Sequence, residues 1–213
     1  MRKVCVIVAS MPPGELYIPE NSLILAADKG YLHLTERGIQ PDVTVGDFDS
    51  LGFTPDTENV VRHPARKDDT DMLLAVRVGL ERGATDFILY GGLGGRIDHT
   101  LANVQTLAFI RAQGAKGILI GEETAVCLLR NEAISFSANH RGTISVFCYG
   151  ERAEGVTETG LAYALDSATL TNAFPIGVSN EFIGKESRVS VLSGSILLYF
   201  QSSAQRACET FLQ

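Results

Sequence analysis

The chain has 213 residues, 45% of them hydrophobic and 20% charged, with a net charge of −7 and a pI of about 5.1. This length gives one large domain or two small ones, with enough apolar mass for a proper core. The acidic balance argues against a general grip on nucleic-acid phosphates or an anionic membrane, while leaving room for a local basic site for a small phosphate ligand.

The opening "MRKVCVIVAS" has the basic start of a signal peptide, but its apolar run is too short and gives way to "MPPG" rather than a small-residue cleavage site. It reads instead as a first buried strand, and "SLILAAD" as a second, both short apolar runs typical of strands covered on two faces. "YLHLTERG" fits a short helix stopped by Gly38, and "DVTVGD" another strand. "DTDMLLAVRVGLERG" has helical apolar spacing, with Asp and Thr crowding its start and Gly83 as its stop. "DFILYGG" is a strand, "IDHTLANVQTLAFIRAQG" a long helix ended by Gly114, and "KGILIGEE" a further strand. This alternation predicts an α/β fold with a mostly parallel sheet flanked by helices.

After about Thr124 the pattern changes. "TAVCLLR", "GTISVFCYG", "SATLTNAF", "RVSVLSG" and "SILLYFQ" are short β-rich runs separated by turns, and only the C-terminal tail suggests a helix. A small antiparallel sandwich is expected over 126–213, following an α/β domain over 1–125. Cys5, Cys127, Cys148 and Cys208 are far apart, with no C-x-x-C pair. The first three sit in apolar runs and read as buried reduced thiols, which points to the cytoplasm. No stretch approaches the roughly 20 apolar residues of a membrane span.

In an open α/β sheet, ligands bind at the carboxyl ends of the strands. Asp28 follows "LILAA", Asp47 and Asp49 follow "VTVG", and the block "GGLGGRIDH" follows "FILY". "KDDTD", Lys67 to Asp71, opens a helix. Residues two apart in extended chain point the same way, so Asp47 and Asp49 face one spot while Phe48 turns away. Such like charges need neutralising, and an oxygen-only set suits Mg²⁺ better than zinc. Any single one of these aspartates is equally a turn or helix cap; it is the set at the strand ends that favours a metal.

In "GGLGGRIDH", glycines between strand and helix let backbone N–H groups approach phosphate, and Arg96 adds a forked cation. The alternative is a plain tight turn. Neither the P-loop pattern nor the dinucleotide spacing G-x-G-x-x-G is present. Asp98 is a ligand residue or a cap, and His99 is open between ligand contact and an idle position. His33 and His140 show no partner in the sequence, and His63 lies close to "RKDDTD" with no role assigned to it. Acids for Mg²⁺ together with Lys67, Arg96 and a glycine loop point to a magnesium–nucleotide ligand, because phosphoryl transfer needs mainly positioning and charge neutralisation.

"AADKG", "PDVTVGDFDS", "KDDTD" and "GGLGGRIDHTLAN", in that order, resemble the thiamine pyrophosphokinase (thiamine diphosphokinase) family. "TETGLAYAL" and "GVSNEF", followed by two short strands, resemble that family's thiamine-binding β domain. The resemblance runs from about residue 20 to about residue 200. It implies a Rossmann-like catalytic domain, a C-terminal β-sandwich, and a homodimer with each active site shared across the interface. The implied reaction moves the pyrophosphoryl group of ATP onto the hydroxyethyl group of thiamine, giving thiamine diphosphate and AMP.

Carried onto this chain, the resemblance gives Asp47, Asp49 and Asp71 to Mg²⁺. Asp28, Lys67, Asp68, Thr70, Gly94, Gly95, Arg96, Asp98 and His99 fall to the nucleotide and transfer site. Arg96 would neutralise phosphate charge, with Asp71 or Asp98 as general base. Ser179 and Asn180 would face thiamine, with Tyr199 standing where animal and fungal members carry a tryptophan. This chain departs from the family at Leu73, where many members have Glu, and in "GLAYAL", which lacks a Lys and a Pro. Two other readings are a nicotinamide-dependent oxidoreductase, with Glu122 or Glu123 on a ribose, and a non-catalytic thiamine- or nucleotide-binding module.

Overall fold

The computed structural model describes residues 2–46, 48, 59–61 and 69–213, and the chain divides into two compact units, Met1–Glu122 and Glu123–Gln213.

The first unit holds six strands: β1 (Val4–Val8), β2 (Leu23–Ala27), β3 (Val43–Val45), β4 (Val60–Val61), β5 (Asp86–Tyr90) and β6 (Lys116–Ile120). They lie in the order β6-β5-β1-β2-β3-β4, and every neighbouring pair is parallel. Strands covered on both faces call for near-continuous apolar runs, which "VCVIV" and, after Asp86, "FILY" supply. Cys5 to Val8 and Phe87 to Tyr90 are fully buried. The order matters for function. From β1 the chain moves outward through β2, β3 and β4, then returns to the other side of β1 with β5. The loops after β1 and β5 therefore diverge, leaving a crevice at the carboxyl ends of those strands.

Three helices pack on this sheet: α1 (Gly30–Thr35), α2 (Asp71–Glu81) and α3 (Ile97–Ala112). Thr70 caps α2, its side-chain oxygen accepting from the Leu73 N–H at 3.2 Å. The α2 face carrying Met72, Ala75, Val76 and Val78 is buried. Leu107 and Ile110 of α3 close over Gly117 of β6. The Arg77 guanidinium of α2 lies 4.8 Å from the centre of the Phe109 ring of α3.

The second unit has β7 (Thr124–Arg130), β8 (Ala133–Phe136), β9 (Thr143–Cys148), β10 (Arg152–Thr159), β11 (Leu165–Thr171), β12 (Asn180–Glu181), β13 (Ser187–Ser190) and β14 (Ser195–Gln201), then α4 (Ala204–Phe211). These strands form two antiparallel sets, β12-β9-β14-β7 and β11-β10-β13-β8. Phe136 of one set meets Phe200 of the other edge-on, with ring centres 5.1 Å apart. His140 packs beside them against Phe136 and Phe182.

The parallel strands and the two long helices follow the sequence reading. That reading has no counterpart for β8 or β10, nor for the two-residue strands β4 and β12. Cys148 departs from its expected burial: as the last residue of β9 it is half-buried, whereas Cys5, Cys127 and Cys208 are buried, and all four are free thiols. Burial pushes the Cys5 thiol up to about 12, so it stays protonated. No described helix is long and apolar enough to cross a membrane.

Candidate functional site

A cavity of about 510 Å³ opens at the carboxyl ends of the parallel strands of the first unit. Its wall takes Ser10 and Met11 from the end of β1, Asp28 from β2, Gly46 from β3, and Gly91, Gly92 and Gly94 from β5. Asp69, Thr70 and Asp71 enter from the start of α2, and Arg96, His99 and Asn103 from the start of α3. Six of the residues expected from sequence line it: Asp28, Thr70, Asp71, Gly94, Arg96 and His99.

Asp28 is 8% exposed and sits in the left-handed backbone region at φ 51°. Its N–H donates to the Val45 carbonyl at 2.9 Å, and its Oδ2 accepts from the Ser10 hydroxyl at 3.0 Å. The carboxylate is thus held at the mouth of two neighbouring strands. Thr70 uses its hydroxyl to cap α2 and also lines the cavity. Asp71, the first residue of α2, is exposed. Asp69 pairs with Arg77 Nε at 3.2 Å.

The glycine loop is fixed from two sides. Gly91 has φ 70°, and a Cβ there would stand 2.5 Å from the Met11 carbonyl oxygen, so only glycine lets the β5 loop pass the β1 loop. Asn103, buried on α3, donates from Nδ2 to the Gly92 carbonyl at 2.8 Å. Gly94 and Gly95 follow with φ of 88° and 63°. Arg96 is the N-cap residue of α3 and makes no side-chain cap. Its guanidinium forks onto Asp98, Nε to Oδ1 at 3.1 Å and Nη2 to Oδ2 at 2.5 Å. Asp98 also accepts from the His99 N–H at 3.0 Å. The Arg96 hydrogen bond holds the Asp98 carboxyl below the usual carboxylate range and raises the Arg96 guanidinium further.

The cavity is lined by carboxylates at Asp28, Asp69 and Asp71 and an imidazole at His99, donor types that would suit a hard cation better than zinc. Among the described residues no group of three His, Cys, Asp or Glu is placed to hold a metal ion. Asp47, Asp49, Lys67 and Asp68, also expected here, lie outside the described residues.

In the second unit, two of the residues assigned to thiamine by resemblance, Ser179 and Tyr199, meet at Ser145, which the sequence reading does not mark. Ser145 stands directly opposite Tyr199 on β9 and β14, and its hydroxyl accepts from the Ser179 N–H at 3.0 Å. Ser179 is exposed, with φ 61°. Asn180 is only 4% exposed, and its amide is engaged inside the unit. It holds the segment in place rather than presenting an amide outward. Ser10, Asn103 and Ser145 are not marked by the sequence reading. The only signal for Ser10 was its place after the first apolar run; Asn103 stood within "GRIDHTLAN" without a visible partner.

The catalytic-domain model of thiamin pyrophosphokinase matches residues 15–119, and the vitamin B1 binding domain model of the same family matches residues 132–196. The chain is 28% identical to a Bacillus subtilis protein named thiamine pyrophosphokinase over 194 residues, covering 85% of this chain and 88% of that one. A Caenorhabditis elegans thiamin pyrophosphokinase is 26% identical over 172 residues, covering 75% of this chain and 69% of the relative. The crystal structure of a Bacillus subtilis thiamine pyrophosphokinase superposes with a TM-score of 0.83 at 27% identity, covering 94% of this chain and all of that one. With both domain models matched in order along one chain, this protein belongs to the thiamine pyrophosphokinase family.

Proposed function

We propose that this chain is an enzyme that transfers the pyrophosphoryl group of ATP to thiamine, giving thiamine diphosphate and AMP. The observation that carries the reading is the cavity at the divergence of β1 and β5, lined by acids and a glycine loop inside the region matched by the catalytic-domain model. The family match favours this transfer over a nicotinamide-dependent oxidoreductase or a silent binding module. The first unit is read as a Rossmann-like ATP site and the second as a thiamine-binding β-sandwich, a reading supported by the Phe136–Phe200 contact between its two sheets.

In this mechanism the thiamine hydroxyl oxygen attacks the β-phosphorus of ATP. The bond from that phosphorus to the α–β bridging oxygen breaks, AMP leaves with the electron pair, and the hydroxyl proton passes to a carboxylate. The candidate bases are Asp71 and Asp98; of these, Asp98 is hydrogen-bonded by Arg96 and held weakly basic. Backbone N–H groups of the loop from Gly91 to Gly95 cradle the phosphates, with Arg96 and Lys67 neutralising charge. Asp28, Thr70 and His99 line the nucleotide pocket, and Asp68 is assigned to it by resemblance alone. Asp47, Asp49 and Asp71 would hold Mg²⁺, which when bound supplies charge neutralisation on the phosphates.

Thiamine is a cation with aromatic rings, which suits Tyr199 as a stacking partner beside Ser179. A homodimer completes each site with the partner's thiamine-binding unit, and the acidic chain with free thiols fits a cytoplasmic enzyme. Thermal shift tests the reading: thiamine and Mg-ATP each raise the melting temperature and NAD does not. Stabilisation by NAD alone would favour the oxidoreductase.

A further inference from the structure

Glu158 is 1% exposed, yet it sits on β10 with no cation against it among the described residues. Its Oε2 accepts from Asn180 Nδ2 at 2.6 Å, while its buried Oε1 has no hydrogen-bond partner among the described residues. Such a carboxylate is costly to bury, and an apolar side chain of like size would cost less. Its effect has to be sought in geometry.

Asn180 supplies that geometry. Its Oδ1 accepts from the Tyr163 N–H at 3.0 Å and the Glu181 N–H at 2.9 Å, and its Nδ2 also donates to the Tyr163 carbonyl at 2.6 Å. All amide positions are engaged, and Glu158 supplies the second acceptor for Nδ2, bracing an amide whose two ends both face the Tyr163 backbone. The amide thereby ties the 161–163 segment to the 179–182 segment, alongside the Leu161–Phe182 bridge and the Ala162 N–H to Glu181 carbonyl bond. On these segments stand exposed Tyr163 (71%) and Ser179, the latter in the left-handed region, a conformation that persists only when its surroundings enforce it.

We infer that Glu158 is a positioning residue for thiamine recognition: a buried latch that sets the Asn180 amide and, through it, the Tyr163 and Ser179 segments. This rests on the proposed thiamine-transfer reading. Glu158→Met keeps the volume and removes the acceptor; Glu158→Gln retains one. In steady-state kinetics Glu158→Met should raise KM for thiamine roughly tenfold, as expected for a lost buried hydrogen bond, with kcat and KM for ATP within about twofold. Glu158→Gln should restore most of the loss.

Hydrogen exchange gives a readout that needs no activity. The Tyr163 and Glu181 amides should exchange roughly tenfold faster in Glu158→Met and near the wild-type rate in Glu158→Gln. Unchanged exchange at both amides, or an unchanged KM for thiamine, would overturn the latch. Equal losses in kcat and both KM values would mark a merely structural role and overturn it too. If the wild-type protein makes no thiamine diphosphate, the transfer reading fails and the exchange rates alone decide the latch.

Discussion

The Asn103 side chain on α3 donates to the Gly92 carbonyl at 2.8 Å, so the helix that begins at the glycine loop also holds that loop from behind. A loop meant to cradle phosphates gains from being fixed before the ligand arrives. Asn103→Ala leaves a buried carbonyl unpaired, which costs about 1–3 kcal/mol of stability. KM for ATP should rise roughly tenfold while KM for thiamine changes little. Urea unfolding and steady-state kinetics check both numbers.

Gly91 tests the same loop by steric means. Alanine there meets the Met11 carbonyl and is forced to φ 70°. Gly91→Ala should destabilise the protein by about 2 kcal/mol or more. Gly94, with a similar φ but open space around it, should tolerate alanine better. A reversed ranking in urea midpoints would contradict this packing.

The Arg96–Asp98 pair is highly exposed, so its ion pair adds little to stability. Arg96→Lys should leave the melting temperature unchanged and lower kcat by roughly tenfold or more, because lysine cannot fork onto phosphate oxygens. Equal activity of the lysine variant would remove Arg96 from the transfer step.

Two buried titratable groups of the second unit, His140 and Glu158, predict opposite pH effects. Burial lowers the His140 pKa from its ordinary 6.5, so the unfolded chain binds the proton first. Its contribution is present above pH 6.5 and is lost as pH falls below that value. Burial raises Glu158 above its ordinary 4.5, opposed by the Asn180 hydrogen bond. Its contribution is greatest below pH 4.5 and declines as pH rises through that value toward the folded pKa. Stability against pH for His140→Gln and Glu158→Gln should flatten the first slope and the second respectively.

Much of the first unit was legible because its strands are buried on both faces and so read as unbroken apolar runs, and because capping and stop residues punctuate α2 and α3. The site was legible to the extent that acids and glycines fall at strand ends. β10 was hidden: "RAEGVTET" contains charges, and Gly155, at φ 64°, lies where register shifts break the alternation. β8 is only four residues long. The Ser145–Ser179 and Glu158–Asn180 contacts join residues 34 and 22 positions apart, so neither leaves a local pattern to read.

The most direct test of the account uses ATP labelled at the β-phosphorus, with thiamine and Mg²⁺. The account predicts that the label appears in thiamine diphosphate, in amounts equal to the AMP formed, and that EDTA stops both. Label appearing in ADP, with thiamine monophosphate as the other product, would show attack at the γ-phosphorus and contradict it.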